Sequence, residues 1–152
     1  MIIELKKIDK TNYEECITLK VSDKQKHFVA SNQRSLVQSA YEPEMYPLGV
    51  FQNNKMVGFI LYDFDVDLNG WSMSRFMIDF KYQKTGIGTE SLLKFMDYFI
   101  KNHGNKPIYT SAEVDNQVAL NMYKKIGFRE KEIFEYQHNN LTYREVRLLK
   151  NL

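Results

Sequence analysis

The 152-residue sequence predicts an α/β fold of the mixed α+β kind, with a mostly antiparallel central sheet of about seven strands flanked by about four helices. Three observations carry that prediction. The strand-like "WSMSRFMIDF" passes through the glycine-containing "QKTGIG" into a helical period and then into a second strand, "KPIYTSAEV". Two strands joined by one crossing helix lie parallel. Two further pairs of strand-like runs flank tight polar turns at Asn53-Asn54 and His138-Asn139-Asn140, which marks antiparallel hairpins.

In chain order, "IIELKKI" alternates as a first strand does, and Asp9 to Asn12 can cap a helix over "YEECITLKV". A second helix is expected through "DKQKHFVASNQRSLVQSAY", where Phe28, Val29, Leu36, Val37 and Ala40 fall at helical spacings. The segment "EPEMYP" stops it, because proline cannot continue the pattern. "LGVFQ" and "KMVGFILYDFD" form the first hairpin, and after the polar "DLNG" the run "WSMSRFMIDF" is apolar on both faces, as a central strand is. The helix after "QKTGIG" carries Ile87, Leu92, Leu93, Phe95, Met96, Phe99 and Ile100, with Gly104 at its C-cap. "NQVALNMYKKI" is a short helix closed by Gly127, and "FREKEIFEYQ" with "LTYREVRLL" forms the second hairpin. The order βααβββαβαββ has no linker, repeat or low-complexity stretch, so residues 1–152 are expected to form a single domain.

Composition excludes several classes of protein. The chain is 43% hydrophobic and 26% charged, which is ordinary for a globular domain. No run of 18 apolar residues is present, so no membrane-spanning helix is expected. The start "MIIELKKIDK" lacks the features of a signal peptide, which points to the cytoplasm. The lone Cys16 sits among apolar residues and reads as core packing. His27, His103 and His138 show no metal-ligand spacing, so no metal site is inferred. Net charge is +2, and Lys and Arg are scattered rather than clustered with aromatics, which argues against nucleic acid. Residues 1–70 hold eight basic and ten acidic side chains, residues 71–152 thirteen and nine, so the half containing the glycine turn is the more basic.

That turn has a chemical use. A helix N-terminus presents unpaired N–H groups and a partial positive charge, so glycines that let the backbone come close there can hold a phosphate. Gly86 and Gly88 stand at that point, with Gln83, Lys84 and Thr85 as further donors. A tight strand-to-helix turn that binds nothing is the plain alternative. "GIGTES" is not the GxGxxG of a dinucleotide fold, and no GxxxxGK[ST] occurs.

A second feature lies thirty residues on: "VDNQVALNMYKKIGF", with Asn116, Ala119, Tyr123, Gly127 and Phe128. Together the two segments resemble the GNAT superfamily of acetyl-CoA-dependent N-acetyltransferases, whose signature is [QR]-x-x-G-x-[GA] opening a helix, then N-x-x-A-x-x-x-Y and a closing Gly-Phe. The element order fits that family along the whole chain. "LKVSDKQKHFVA" followed by "EPEMYPLGVFQNNKMVGFILY" looks like the N-terminal half of the bacterial spermine/spermidine N-acetyltransferases. An amphipathic helix burying Leu19, Val21, Phe28 and Val29 would produce much of the same pattern.

The resemblance implies a mechanism. A splayed parallel strand pair, "SRFMIDF" and "KPIYTSAEV", would take the pantetheine of acetyl-CoA, held by the backbone of Phe76, Met77 and Ile78. Gln83, Lys84, Thr85, Gly86, Ile87, Gly88 and Thr89 would wrap the pyrophosphate. Asn116 would contact the cofactor or hold the splayed strand end, or cap its own helix. Tyr123 would protonate the departing thiolate: a phenol titrates near 10 and a thiol near 8.5, so at neutral pH the phenol has a proton to give. Its alternative is a packed aromatic.

The acceptor poses a harder problem, since an amine with a pKa near 10.4 is free base in only about one molecule in 2,500 at pH 7. Some family members place a glutamate where this chain has Trp71-Ser72-Met73-Ser74, and no carboxylate stands there. Glu113 is the first candidate for the base, with Asp115, Asp63, Asp65 and Asp67 as others. A polyamine would need separated carboxylates and aromatic walls: Glu42, Glu44, Asp63, Asp65 and Asp67 with Tyr41, Tyr46, Tyr62 and Trp71. The leading expectation is acetyl transfer to spermidine or spermine. Another amine, whether a protein N-terminus, a lysine or an aminoglycoside, is the alternative, and a non-catalytic CoA-binding module a third. Many relatives dimerise, and the second hairpin offers an edge for a homodimer.

Overall fold

The computed structural model describes residues 1–151. Strands β1 (Ile3–Lys7), β2 (Met45–Gln52), β3 (Lys55–Asp65), β4 (Gly70–Ile78), β5 (Ile108–Glu113), β6 (Arg129–His138) and β7 (Leu141–Lys150) form one sheet in the order β1-β2-β3-β4-β5-β7-β6. Every pairing is antiparallel except β4 with β5. The helices are α1 (Tyr13–Thr18), α2 (Asn32–Tyr41), α3 (Ile87–His103) and α4 (Gln117–Lys125). The mixed sheet and the helix count expected from the sequence are both present.

β3 is buried along nearly its whole length because the sheet is covered on both faces. On one face Ile60 and Tyr62 join Leu92, Phe95, Met96 and Phe99 of α3 and Leu120 of α4. On the other, Phe59 and Leu61 join Cys16 and Leu19, with Leu36 of α2 packed against them. Cys16 is therefore core, and burial pushes its thiol up to about 12. Leu93 and Ile100, assigned above to the apolar stripe of α3, are exposed.

The second helix departs from expectation. The predicted single helix over 23–41 is a 3-10 turn at Asp23–Gln25, an irregular segment, and then α2. Ser31 causes the restart: its side chain accepts from Arg34 N and its extended backbone cannot belong to a preceding helix. Asn32, buried at the first turn of α2, donates Nδ2 to Cys16 O at 3.0 Å and fixes the two short helices to each other. Pro47 lies inside β2 rather than ahead of it, just where the β1 pairing ends at Leu48. No β1 residue there needs a donor from it, so the missing N–H costs little.

One buried side chain and a backbone hydrogen bond fix the end of β4. Asp79 (3% exposed) accepts from Lys20 N and Lys81 N, and Phe80 N donates to Lys20 O. The chain is thereby anchored to the segment after α1 just before it enters the glycine turn.

Candidate active site

β4 and β5 pair over only three positions, Trp71 with Ile108, Ser72 with Tyr109 and Met73 with Thr110, and then part. At the last pair the Thr110 hydroxyl donates to Met73 O at 2.9 Å, which satisfies a buried carbonyl at the point of separation. One residue further, β4 bulges: Leu61 faces Arg75 and Tyr62 faces Met73, so Ser74 is the extra residue. A bulge bends its strand, and Ser74 donates its hydroxyl to the buried Asp63. Beyond the split, β4 from Ser74 to Ile78 has an edge with no strand partner. Unpaired strand N–H and C=O groups are ready to pair with an extended ligand. They line a cleft of about 960 Å³ that passes through the split.

On the α3–α4 side, the cleft is closed by the glycine turn. Lys84 and Gly86 both have left-handed backbones, φ 62° and 86°, and Gly86 is the N-cap of α3. Such a turn gathers backbone N–H groups into an anion-binding concavity at the positive end of a 17-residue helix. Gly88 packs closely on α4: a Cβ there would stand 3.3 Å from Met122 Sδ, which would have to give by a few tenths of an ångström.

The side chains of this turn divide by role. Lys84, Gly86, Gly88 and Thr89 line the cleft, whereas Ile87 is buried in the core and Thr85 is not among the lining residues. Gln83 Nε2 donates to Ile78 O and Gln25 Oε1, both at 2.9 Å. An amide has two N–H hydrogens, so the side chain of Gln83 ties the turn to β4 and has none left for a phosphate. The Thr85 hydroxyl likewise donates to Tyr82 O at 2.6 Å.

Asn116 and Tyr123 line the cleft from α4. Asn116 Oδ1 accepts from Ala119 N at 3.3 Å, the N-cap role, and its Nδ2 makes no hydrogen bond among the described residues. Tyr123, 5% exposed, has its phenol pushed up to about 12, chiefly by burial, with the neighbouring Thr110 hydroxyl opposing the shift. It keeps its proton throughout the neutral range and can donate it to a thiolate.

Through the split lies the other arm of the cleft, formed by the segment around residues 25–31, α2 and the β5–β7–β6 face. Of the carboxylates expected there, Asp65 lines the cleft, and its Oδ1 accepts from Asp67 N and Leu68 N. Asp63 is buried against Ser74, and burial raises its carboxyl. Glu42, Glu44, Asp67, Asp115 and Glu113 do not line it. Trp71 packs instead on the α3 face, its ring 4.1 Å from that of His103 and 5.6 Å from that of Phe99. Packed there and partly buried, it does not line the cleft.

Other residues that face this arm were not named from sequence as site residues. Arg75 donates Nη1 to Gln38 Oε1 at 2.7 Å, and Arg34 bonds His138 Nε2 at 2.7 Å, linking α2 to the β6–β7 turn. Neither arginine is in a salt bridge among the described residues. Glu145 accepts from Ser111 Oγ at 2.7 Å and from the Tyr136 hydroxyl. A period-2 reading of "LTYREVRLL" places Tyr143, Glu145 and Arg147 on one face, opposite Val146 and Leu148, so a signal existed once the core face was known.

An unpaired strand edge, an anion-binding turn and a buried proton donor on one cleft are the parts an acyltransferase needs to hold a coenzyme A thioester. Residues 5–128 match the acetyltransferase (GNAT) family, and the chain belongs to it. The chain is 31% identical to the spermine/spermidine N(1)-acetyltransferase of Bacillus subtilis over 137 residues, covering 85% of this chain and 89% of the relative. Among solved structures, the ribosomal-protein-S18-alanine N-acetyltransferase of Escherichia coli has a TM-score of 0.74 at 17% identity, covering 99% of this chain and 94% of that one. A spermidine N-acetyltransferase chimera built in part from the Vibrio cholerae enzyme has a TM-score of 0.75 at 14% identity, covering 98% and 94%. The protein is thus a GNAT N-acetyltransferase that takes its acetyl group from acetyl-CoA. Those two solved structures share the fold while their names give different acceptors. Among the described residues, no helix is long and apolar enough to cross a membrane.

Proposed function

We propose that this enzyme transfers acetyl from acetyl-CoA to a primary amine of a polyamine such as spermidine or spermine. The observation that carries the reading is the likeness to the Bacillus subtilis spermine/spermidine acetyltransferase, which extends over most of both chains and so includes the acceptor-side segment as well as the donor motif. In this reading the free edge of β4 at Phe76, Met77 and Ile78 holds the pantetheine, the backbone of Lys84–Thr89 holds the pyrophosphate, and Tyr123 gives its proton to the leaving sulfur. Asp65 and Glu145 supply negative charge on the acceptor arm.

A second reading has an observation of its own. Arg34 and Arg75 line the acceptor arm without a salt bridge among the described residues, and burial with the charge of Arg34 lowers the pKa of Arg75 against the opposing charges of Asp63 and Glu42. Two such guanidiniums fit a carboxylate, and so favour an amine that also carries one, such as a free amino acid or peptide.

The test is release of free thiol from acetyl-CoA with a panel of spermidine, spermine, lysine, an aminoglycoside and peptides. Turnover of spermidine or spermine above the others supports the polyamine. Turnover of lysine or a peptide with no polyamine reacting sinks it and selects the second reading.

A further inference from the structure

An aliphatic primary amine arrives at neutral pH as an ammonium, and β4, the strand ahead of the glycine turn, offers no carboxylate to meet it. We propose that Glu145 docks the acceptor ammonium at the β4–β5 split and receives its proton. The proposal rests on acetyl transfer to an amine and not on the polyamine reading.

Glu145 is oriented from two strands. Ser111 donates to Oε1 from β5 and Tyr136 donates to Oε2 from β6. Each carboxylate oxygen thus holds one protein donor and keeps a further direction in which to accept. Ser111 is the first β5 residue beyond the last β4–β5 pair, so the carboxylate is tethered where the sheet opens. Glu145, Ser111 and Tyr123 all line the same cleft, with Tyr123 on the α4 side and Glu145 on the other.

The charge around Glu145 is unbalanced. Its partner across the β5–β7 ladder is Glu113, and like charges directly opposite each other destabilise a sheet. No lysine or arginine is in a salt bridge with either carboxylate among the described residues. Arg147, two residues along the same face, is engaged by Glu132 and lies 4.1 Å over the Phe134 ring. The missing cation is supplied when an acceptor ammonium enters.

The protons balance as follows. The bound ammonium gives one proton to Glu145, which passes it to solvent, leaving the neutral amine. As the N–C bond forms and the C–S bond breaks, Tyr123 gives its proton to the sulfur, nitrogen releases a second proton to solvent, and the Tyr123 phenolate takes one proton back from solvent. Net, one proton is released per amide and thiol formed.

The experiment compares Glu145→Gln with the wild type on two acceptors. One is spermidine, or whichever amine the panel shows to react. The other is a hydrazide or arylamine, which is already neutral at pH 7. Loss of about 10²-fold in kcat/KM for the ammonium acceptor is expected, with a much smaller loss for the neutral one and unchanged affinity for acetyl-CoA. Wild-type kcat/KM with the ammonium acceptor, or equal losses on both, overturns the proposal. If Glu145→Gln does not fold, Tyr136→Phe and Ser111→Ala carry the same comparison, and again unequal losses support it and equal or absent losses overturn it. Failure of spermidine while another amine reacts refutes the polyamine reading alone; an indifferent Glu145→Gln on the reactive amine refutes the role of Glu145 alone.

Discussion

Tyr123 illustrates how the packing of one residue suits it to the chemistry proposed for it. Its ring packs 5.6 Å from that of Phe128, and the burial that seats it also holds its phenol protonated. Tyr123→Phe keeps the packing and removes the proton, so kcat is expected to fall by about 10²- to 10⁴-fold while the affinity for CoA, read by calorimetry, is retained. Wild-type kcat would remove Tyr123 as the acid. Gly86→Val should do the reverse, abolishing CoA binding, because a β-branched residue at φ 86° is strained and must distort the turn. Unchanged CoA affinity in that variant would refute the turn as the phosphate site. The proposed donor residues were legible because glycines and a spaced Asn–Tyr pair leave a mark that side-chain identity records. The proposed acceptor residues were not, because Glu145 and Tyr136 lie beyond residue 128, where the family match ends, and become neighbours only through the β6–β7 register.

Among the elements, strands were easier to place than short helices. The hairpins at Asn53-Asn54 and Asn139-Asn140 followed from residues that tolerate left-handed backbone, and all four have positive φ. The break at Ser31 was hidden because Phe28 and Val29 continue an apolar spacing that the backbone does not follow. The β4–β5 split also has no local code: both strands look like core, and only pairing shows where they part. Thr110 tests that point. Thr110→Val conserves shape but leaves Met73 O without its 2.9 Å donor, which should cost about 1–3 kcal/mol. The measure is the urea midpoint; an unchanged value would mean that Met73 O finds another partner. The same variant should also alter acceptor and donor kinetics, since Thr110 neighbours Tyr123 as well.

At the scale of the whole molecule, the two cores are joined by the sheet, and the cleft crosses that sheet where it is weakest. Stability should therefore respond to proton and ligand through the same region. Burial raises the phenols of Tyr62, Tyr123 and Tyr136, Tyr123 to about 12. A group whose pKa is higher folded than unfolded contributes stability that is complete below its unfolded value, near 10, and is lost as pH rises through the folded one. The urea midpoint should thus fall as pH rises from about 10 towards 12, with the contribution of these tyrosines complete and independent of pH near neutrality. Ligand acts in the opposite direction. Acetyl-CoA at one hundred times its Kd should stabilise the fold by about 2.7 kcal/mol, raising the thermal midpoint. The split strands and the glycine turn are the parts proposed to bind it, so Gly86→Val should lose the ligand-induced rise whereas Tyr123→Phe and Glu145→Gln should keep it in full. A rise that survives in Gly86→Val would place the coenzyme elsewhere; one absent from Glu145→Gln would make that residue part of the donor site and not of the acceptor arm.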